Sequence, residues 1–376
     1  MAAEPSSHRT SIRVATFNVE NLMARFDFNG RKRDEDRVLR LFDLGEDEAE
    51  DAERARLIAL TDDTRQHSAL AVADTEADIV CLQEVENLDT LDAFESGYLH
   101  RMLGQGYKQK VWREGNDKRG IDVAVMARET TATGDPIEII QVTSHKRLSY
   151  GEAELFEEVL PRRIQHPNER VFRRDLLQVD CRVGSRRLTL YVSHLKAMGG
   201  AREDDNGEWI DGRQWSMPIR LAEARAMRAI IERNHTPVHN WMICADLNDY
   251  SERIVIDGPR GAPTFTPTDD PSEAIDALLA DGFAVNPVSR LPAAERWTLF
   301  HADRQGTRHL CQLDYVLLSP ALARANPDAM PAIVRGGQPH RTPFPPGQDG
   351  ARYPRVGWDR PKASDHCPVA ITVELP

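Results

Sequence analysis

The sequence predicts an α/β protein, and three observations carry that prediction. Short apolar runs of strand length recur along the 376 residues, segments with helical apolar spacing lie between them, and several of the runs end on a carboxylate, an amide or an imidazole. Polar groups at the ends of core strands need partners, so the strand ends are where chemistry is expected.

In chain order, Ile12 to Phe17 reads as a buried strand running into Asn18-Val19-Glu20-Asn21. The basic residues Arg25, Arg31, Lys32, Arg33, Arg37 and Arg40 and the acidic run from Asp43 to Glu53 both suit solvated faces. A helix is expected from Arg54 to about Ala73, with Thr61 to Thr64 as a point of interruption. Asp78 to Leu82 is a strand ending in Gln83-Glu84-Val85-Glu86, Asn87 to Leu99 a helix, Gly106 to Trp112 a strand, and Ile121 to Met126 a further strand with Arg119 at its entrance. Residues 144–170 read as loops with a short helix. Leu176 to Val183 and Leu188 to Val192 form a hairpin turning at Gly184-Ser185 and ending on Ser193-His194. Gly199 to Trp215 suggests an exposed loop, after which Pro218 is expected to open a helix that ends before Pro237. Trp241 to Ala245 is a core strand followed by Asp246-Leu247-Asn248-Asp249, where Asp246 and Asn248 alternate and can face one ligand. Weaker elements follow through Thr298, then a strand over Gln312 to Leu318 containing Asp314. The stretch 336–361 holds six prolines and five glycines, which predicts a loop. It mixes Arg341, Arg352, Arg355 and Arg360 with Phe344, Tyr353 and Trp358, a composition suited to phosphate and a base or sugar. It leads into Ser364-Asp365-His366 and a last strand, Val369 to Val373.

Composition narrows the function classes. An apolar fraction of 40% with 29% charged residues is ordinary for a soluble protein, and no apolar run approaches the ~20 residues of a membrane span. The N-terminus has no secretory signal pattern, and five cysteines without metal-ligand spacing suit reduced thiols, so a cytoplasmic protein is expected. A formal charge of −12 excludes a protein that coats nucleic acid by charge alone, though not a nuclease whose divalent ions supply the positive charge. No composition shift or internal repeat divides the chain. A single domain over 1–376 is expected, with 1–11 flexible and 336–361 a substrate-rim loop, and a monomer is expected.

Each polar cluster alone suits an ordinary turn or cap. Together, Thr16-Phe17-Asn18-Val19-Glu20, Cys81-Leu82-Gln83-Glu84-Val85, Val192-Ser193-His194, Ala245-Asp246-Leu247-Asn248-Asp249, Leu313-Asp314-Tyr315-Val316 and Ser364-Asp365-His366 resemble the endonuclease/exonuclease/phosphatase superfamily in its bacterial form. The resemblance implies a DNase I-like four-layer α/β sandwich, two central mixed β-sheets flanked by helices, with the site at one end of the sheets. It implies that Glu84 and Asp365, with Asn18 nearby, hold one or two Mg²⁺ or Mn²⁺ ions, for which hard oxygen ligands are suited. It implies that His366, oriented by Asp314, acts on the attacking water or stabilises the phosphorane. Asp246 would position that water, and Asn248 and His194 would donate to the non-bridging oxygens. Arg174, in Phe172-Arg173-Arg174-Asp175, and Arg119 resemble phosphate-binding arginines of the family; structural salt bridges are their alternative.

The implied function is divalent-metal-dependent phosphodiester hydrolysis, as a nuclease on DNA or RNA with no membrane partner. Glu86 stands where DNase I carries a DNA-contacting arginine, which together with the net acidity leans toward a second reading, hydrolysis of a small nucleotide or lipid-headgroup phosphoester. A non-catalytic binding module of the same fold is the third, set against by the retention of every implied catalytic residue.

Overall fold

Two mixed β-sheets pack face to face in the computed structural model, which describes residues 10–23, 62–159, 163–204, 206–302, 306–348 and 350–376. The first sheet has the order β16-β17-β1-β2-β4-β3: β1 is Ser11–Leu22, β2 Ile79–Val85, β3 Gln109–Trp112, β4 Asp122–Ala127, β16 Ala332–Ile333 and β17 Val369–Glu374. The second has the order β15-β10-β7-β6-β5: β5 is Ile137–Ser144, β6 Leu176–Val183, β7 Arg186–His194, β10 Trp241–Asp246 and β15 Asp314–Leu318. Ile12, Val14, Ile79 and Val125 meet Leu177, Leu190, Val192 and Cys244 between the sheets. The alternate residues Ala15, Phe17, Val80 and Leu82 face outward onto helix α1 (62–74) and α2 (Leu88–Phe94, continued to Leu103). Tyr191, Ile243 and Leu317 do the same toward α3 (Gly212–Asn234) and α4 (Glu273–Leu279). Strands covered on both faces are apolar almost without interruption, which is why they stood out in the sequence. The four layers and two central sheets match the expected architecture.

Several expectations change. Pro218 does not open α3; it lies inside it, because Asp211 caps the helix by accepting from the Gln214 amide, seven residues before Pro218. Gly212 is required at that start, since a Cβ would sit 2.1 Å from the Gly199 carbonyl oxygen. The expected loop before it carries a short hairpin, β8 (Arg202–Glu203) and β9 (Trp209–Ile210). The expected strand over 312–318 is β15, which begins two residues later at Asp314; the Thr298 hydroxyl accepts from the Leu313 and Asp314 amides and separates it from a further strand, β14 (Arg308–Cys311). The weak region before it forms a separate sheet, β12-β11-β14-β13, from β11 (Glu252–Asp257), β12 (Thr264–Asp269), β13 (Leu299–Ala302) and β14. The edge strand β5 was missed; half its residues face solvent, so its apolar signal is diluted. The N-terminal residues 1–9, the basic run from Arg25 to Arg40, the acidic run from Asp43 to Glu53 and the start of the first helix lie outside the described residues. All five cysteines are free and buried, and no helix among the described residues is long and apolar enough to cross a membrane.

Beside the site, Asp122 and Asp175 are buried, and burial pushes each carboxyl up to about 6. An unfolded carboxyl loses its proton near pH ~4, so between about pH 4 and 6 the unfolded chain is ionised while the folded one holds the proton. Each group therefore lowers stability as pH rises through that window, by on the order of 2–3 kcal/mol. Urea unfolding at pH 4.5 and 7 is expected to show that Asp122→Asn gains stability relative to the parent at the higher pH. A pH-independent difference between the two proteins would contradict this.

Candidate active site

The register of the sheets brings the implied residues to one end. On β10, Asp246 lies opposite His194 of β7 on one side and Asp314 of β15 on the other. Asn18 arrives from β1 in the facing sheet and donates through Nδ2 to Asp246 Oδ2 at 2.9 Å. The same oxygen is 3.2 Å from His194 Nε2 and 3.8 Å from His366 Nε2, and Oδ1 accepts from the Asn248 amide at 2.8 Å. Burial favours the neutral acid, but the two imidazoles and the Asn18 amide outweigh it and hold Asp246 well below the usual carboxylate range. Asp246 is thus an oriented anion surrounded by donors.

His366 lies under a second carboxylate, with Nδ1 2.9 Å from Asp314 Oδ2. Burial would lower its pKa, yet Asp314 and Asp246 raise it well above the ordinary histidine value. His194 goes the other way: burial and then Arg174 lower its pKa, which favours the neutral ring, and its Nδ1 has no hydrogen-bond partner. Two histidines on one carboxylate are therefore set to different protonation states.

Backbone conformation assists this convergence. Glu20, Asn21, Glu84 and Asn248 all have positive φ, between 50° and 67°, although none is glycine. That turn aims the Asn21 amide at Glu84 Oε2, 2.9 Å away, and the Glu20 amide at Asn18 Oδ1, 3.0 Å away. The Asn248 side chain donates to the Leu195 carbonyl at 3.1 Å.

Among the described residues, one group of three metal-capable side chains has ligand atoms within 4.8 Å of one another: Asp246, Asp314 and His366. Within it His366 Nδ1 is committed to Asp314 Oδ2 at 2.9 Å, while Asp246 Oδ2 stands 3.8 Å from His366 Nε2, so this group reads as a hydrogen-bonded pair beside an oriented carboxylate. Glu84 and Asp365 are the carboxylates left over. Asp365 Oδ1 has a long 3.4 Å contact from Ser364 Oγ, and although burial favours the neutral acid, His366 and Lys362 hold its carboxyl below the usual range. Hard carboxylate oxygens fit Mg²⁺ or Mn²⁺. Asn18 stands beside them, with its amide oxygen engaged by Glu20.

The two arginines separate. Arg119 is 56% exposed and paired twice with Asp117, Nε to Oδ1 at 3.2 Å and Nη2 to Oδ2 at 2.9 Å. Arg174 is buried: Nε donates to the same Asp117 carboxylate at 3.0 Å, and Nη1 to the carbonyls of His194 and Leu195 at 3.2 and 2.7 Å. Arg174 thus braces the backbone that carries His194. Removing it with Arg174→Ala leaves the half-buried Asp117 with Arg119 as its partner and takes a donor from the His194 and Leu195 carbonyls, and is expected to cost about 1–3 kcal/mol in urea unfolding with little change in KM. A large KM rise at unchanged stability would make it a phosphate clamp instead.

Sequence reasoning missed Asp117, which joins both arginines, and Glu223, whose buried carboxylate accepts from the amides of Arg173 and Lys196 at 2.8 and 2.7 Å. The stretch Asn116-Asp117-Lys118-Arg119-Gly120 did carry a signal, since Asp117 closes an Asx turn on the Arg119 amide. Residues 336–361 have no helix or strand among those described. Their arginines have protein partners: Arg352 the Gln338 and Thr342 carbonyls, and, in ion pairs at the surface, Arg355 Asp63, Arg341 Asp359 and Arg360 Glu20. Tyr353 donates to Asp74, and Phe344 packs on Trp297, which leaves Trp358 as that loop's exposed ring, 58% accessible, with Arg260 stacked on it. A cavity of about 740 Å³ opens beside Arg187, Gln178 and His235. It lies at the start of β7, the far end of that strand from His194.

A family model described as Endonuclease/Exonuclease/phosphatase family matches residues 15–366. Among curated proteins, none matches the sequence. An endonuclease/exonuclease/phosphatase family protein from Bacteroides thetaiotaomicron superposes with a TM-score of 0.50 at 11% identity, covering 98% of this chain and 99% of that one. The human Nocturnin catalytic domain with bound sulfate gives 0.48 at 14% identity over 98% and 96%. A humanised TDP2 from D. rerio gives 0.47 at 13% over 97% and 99%.

Proposed function

Because the chain belongs to the endonuclease/exonuclease/phosphatase family, whose members are hydrolytic phosphoesterases using divalent metals, we propose that it is a divalent-metal-dependent phosphodiester hydrolase. The favoured substrate is nucleic acid, DNA or RNA, and the place of action the cytoplasm. The carrying observation is Asp246, an anion held by Asn18, His194 and the Asn248 amide with His366 beyond it.

Glu84 and Asp365, with Asn18 beside them, would hold Mg²⁺ or Mn²⁺, which supplies charge neutralisation at the phosphate and the leaving oxygen. The chain's own groups supply the rest. Asp246 accepts a hydrogen bond from the attacking water and fixes its line of approach to phosphorus. His366, fixed in tautomer by Asp314, donates to the charge that builds on the phosphorane. Asn248 donates to a non-bridging oxygen through the amide hydrogen left free by the Leu195 carbonyl, His194 spends its one N–H on Asp246 and so orients that carboxylate, and Arg119 presents its guanidinium to the phosphate.

The test is a panel of single-stranded DNA, duplex DNA, RNA, cyclic nucleotides and phosphomonoesters with Mn²⁺, each repeated with EDTA. EDTA-sensitive cleavage of the polymeric diesters is expected. Turnover confined to cyclic nucleotides or monoesters selects the small-phosphoester reading, which the net charge of −12 and Glu86 favour. No turnover with Mg²⁺, Mn²⁺ or Ca²⁺ selects a binding module.

A further inference from the structure

Next to Asp365 lies a positive charge that the reaction outlined above does not use. Lys362 is 3% exposed, and its ammonium forms an ion pair with Glu20 Oε2 at 3.0 Å. Arg360 pairs with the other Glu20 oxygen. Glu20 is two residues beyond Asn18 on the left-handed turn of β1, and it interacts electrostatically with Asp365, as Lys362 does.

The chain around Lys362 is pinned. The Ala363 amide donates to the Gly337 carbonyl at 3.0 Å, and Ser364 Oγ donates to the Asn18 carbonyl at 2.7 Å. A buried lysine on a pinned backbone cannot reach out to a substrate phosphate, which distinguishes it from Arg119, more than half exposed. Its charge is a fixed part of the site. Without Lys362, Glu20 would keep only the half-exposed Arg360 as counter-ion and Asp365 would lose a neighbouring cation, leaving carboxylates with the hard-oxygen chemistry that attracts a divalent ion.

We infer that Lys362 is a resident cation: its ammonium neutralises Glu20 and Asp365, so that Glu20 is a counter-ion and not a ligand, and the Glu84/Asp365 site takes a single divalent ion. The inference rests on the metal-dependent reading above. Lys362 and Glu20 are positioning residues, acting on the ion through charge.

The test reads ion binding directly, by calorimetry and by Mn²⁺ electron paramagnetic resonance on the full chain without substrate. The parent is expected to bind one Mn²⁺. Lys362→Gln is expected to bind Mn²⁺ at least tenfold more tightly or to take up a second ion, because a like charge has left the site. The double variant Glu20→Gln/Lys362→Gln removes both members of the pair, and its affinity is expected to return to within about threefold of the parent with one ion bound. It also keeps the question open to measurement if Lys362→Gln alone unfolds. Two ions on the parent overturn the inference. So does a folded Lys362→Gln with unchanged affinity and stoichiometry, or a double variant that departs tenfold or more from the parent. Absence of any Mn²⁺ binding by the parent overturns the metal-dependent reading itself, and with it this inference.

Discussion

Asp246→Asn is expected to lower turnover of a phosphodiester by roughly 10³-fold or more while the protein stays folded, in line with the 10²–10⁴-fold that a positioned proton acceptor contributes. An asparagine keeps one oxygen, which can still accept from the Asn248 amide as Oδ1 does now. Its NH₂ group would then face the Asn18 Nδ2 and His194 Nε2 atoms that now surround Oδ2. Donors would oppose donors, and the acceptor for water would be gone. Near-parental turnover with an intact thermal unfolding transition would remove Asp246 from the chemistry.

His366→Ala is the second large effect, a loss of about 10²–10⁴-fold in kcat. Asp314 lies behind the ring, and its other carboxylate oxygen has no hydrogen-bond partner, so its role is exerted through His366. Asp314→Asn is accordingly expected to cost less, because the ring keeps its place but loses its fixed tautomer and its raised pKa. The double variant should be no slower than His366→Ala alone, since residues acting as one unit are not additive. Additive losses, measured as kcat on one diester at saturating Mn²⁺, would mean that Asp314 and His366 act separately.

What the sequence made legible follows from what buried strands look like. Phe17, Leu82, Val192 and Ala245 sit on strands covered from both sides, so unbroken apolar runs marked them and the polar residues at their ends. The convergence of Asn18, His194, Asp246, Asp314 and His366 was implied by resemblance; the sheet register pairs His194, Asp246 and Asp314, and the Asn18 and His366 side chains meet them at Asp246. Other features carried no such pattern. β5 faces solvent on one side, and β11 to β14 form an outer sheet whose edge strand β12 is largely exposed, so neither alternation nor length stood out. Pro218 misled because a proline is usual in a first turn, whereas the capping carboxylate of Asp211 set the start earlier. The role of Glu223, and of Asp117 toward Arg174, was illegible because the amides and the arginine they bind lie tens of residues away. The arginines of 336–361 suggested phosphate contacts by composition; in the fold Arg352 binds backbone carbonyls, while Arg341, Arg355 and Arg360 stay at the surface in ion pairs.

The central claim is a division of labour at one end of the sheets: Glu84 and Asp365 hold the ion, while Asp246, Asp314 and His366 handle water and charge. Mn²⁺ binding measured by calorimetry on four folded variants tests it most directly. Glu84→Gln and Asp365→Asn are expected to weaken binding at least tenfold, whereas His366→Ala and Asp314→Asn leave it within a few-fold of the parent. The opposite pattern, with binding lost on removing His366 or Asp314 and kept on removing Glu84 and Asp365, would place the ion among the other three residues and contradict the account.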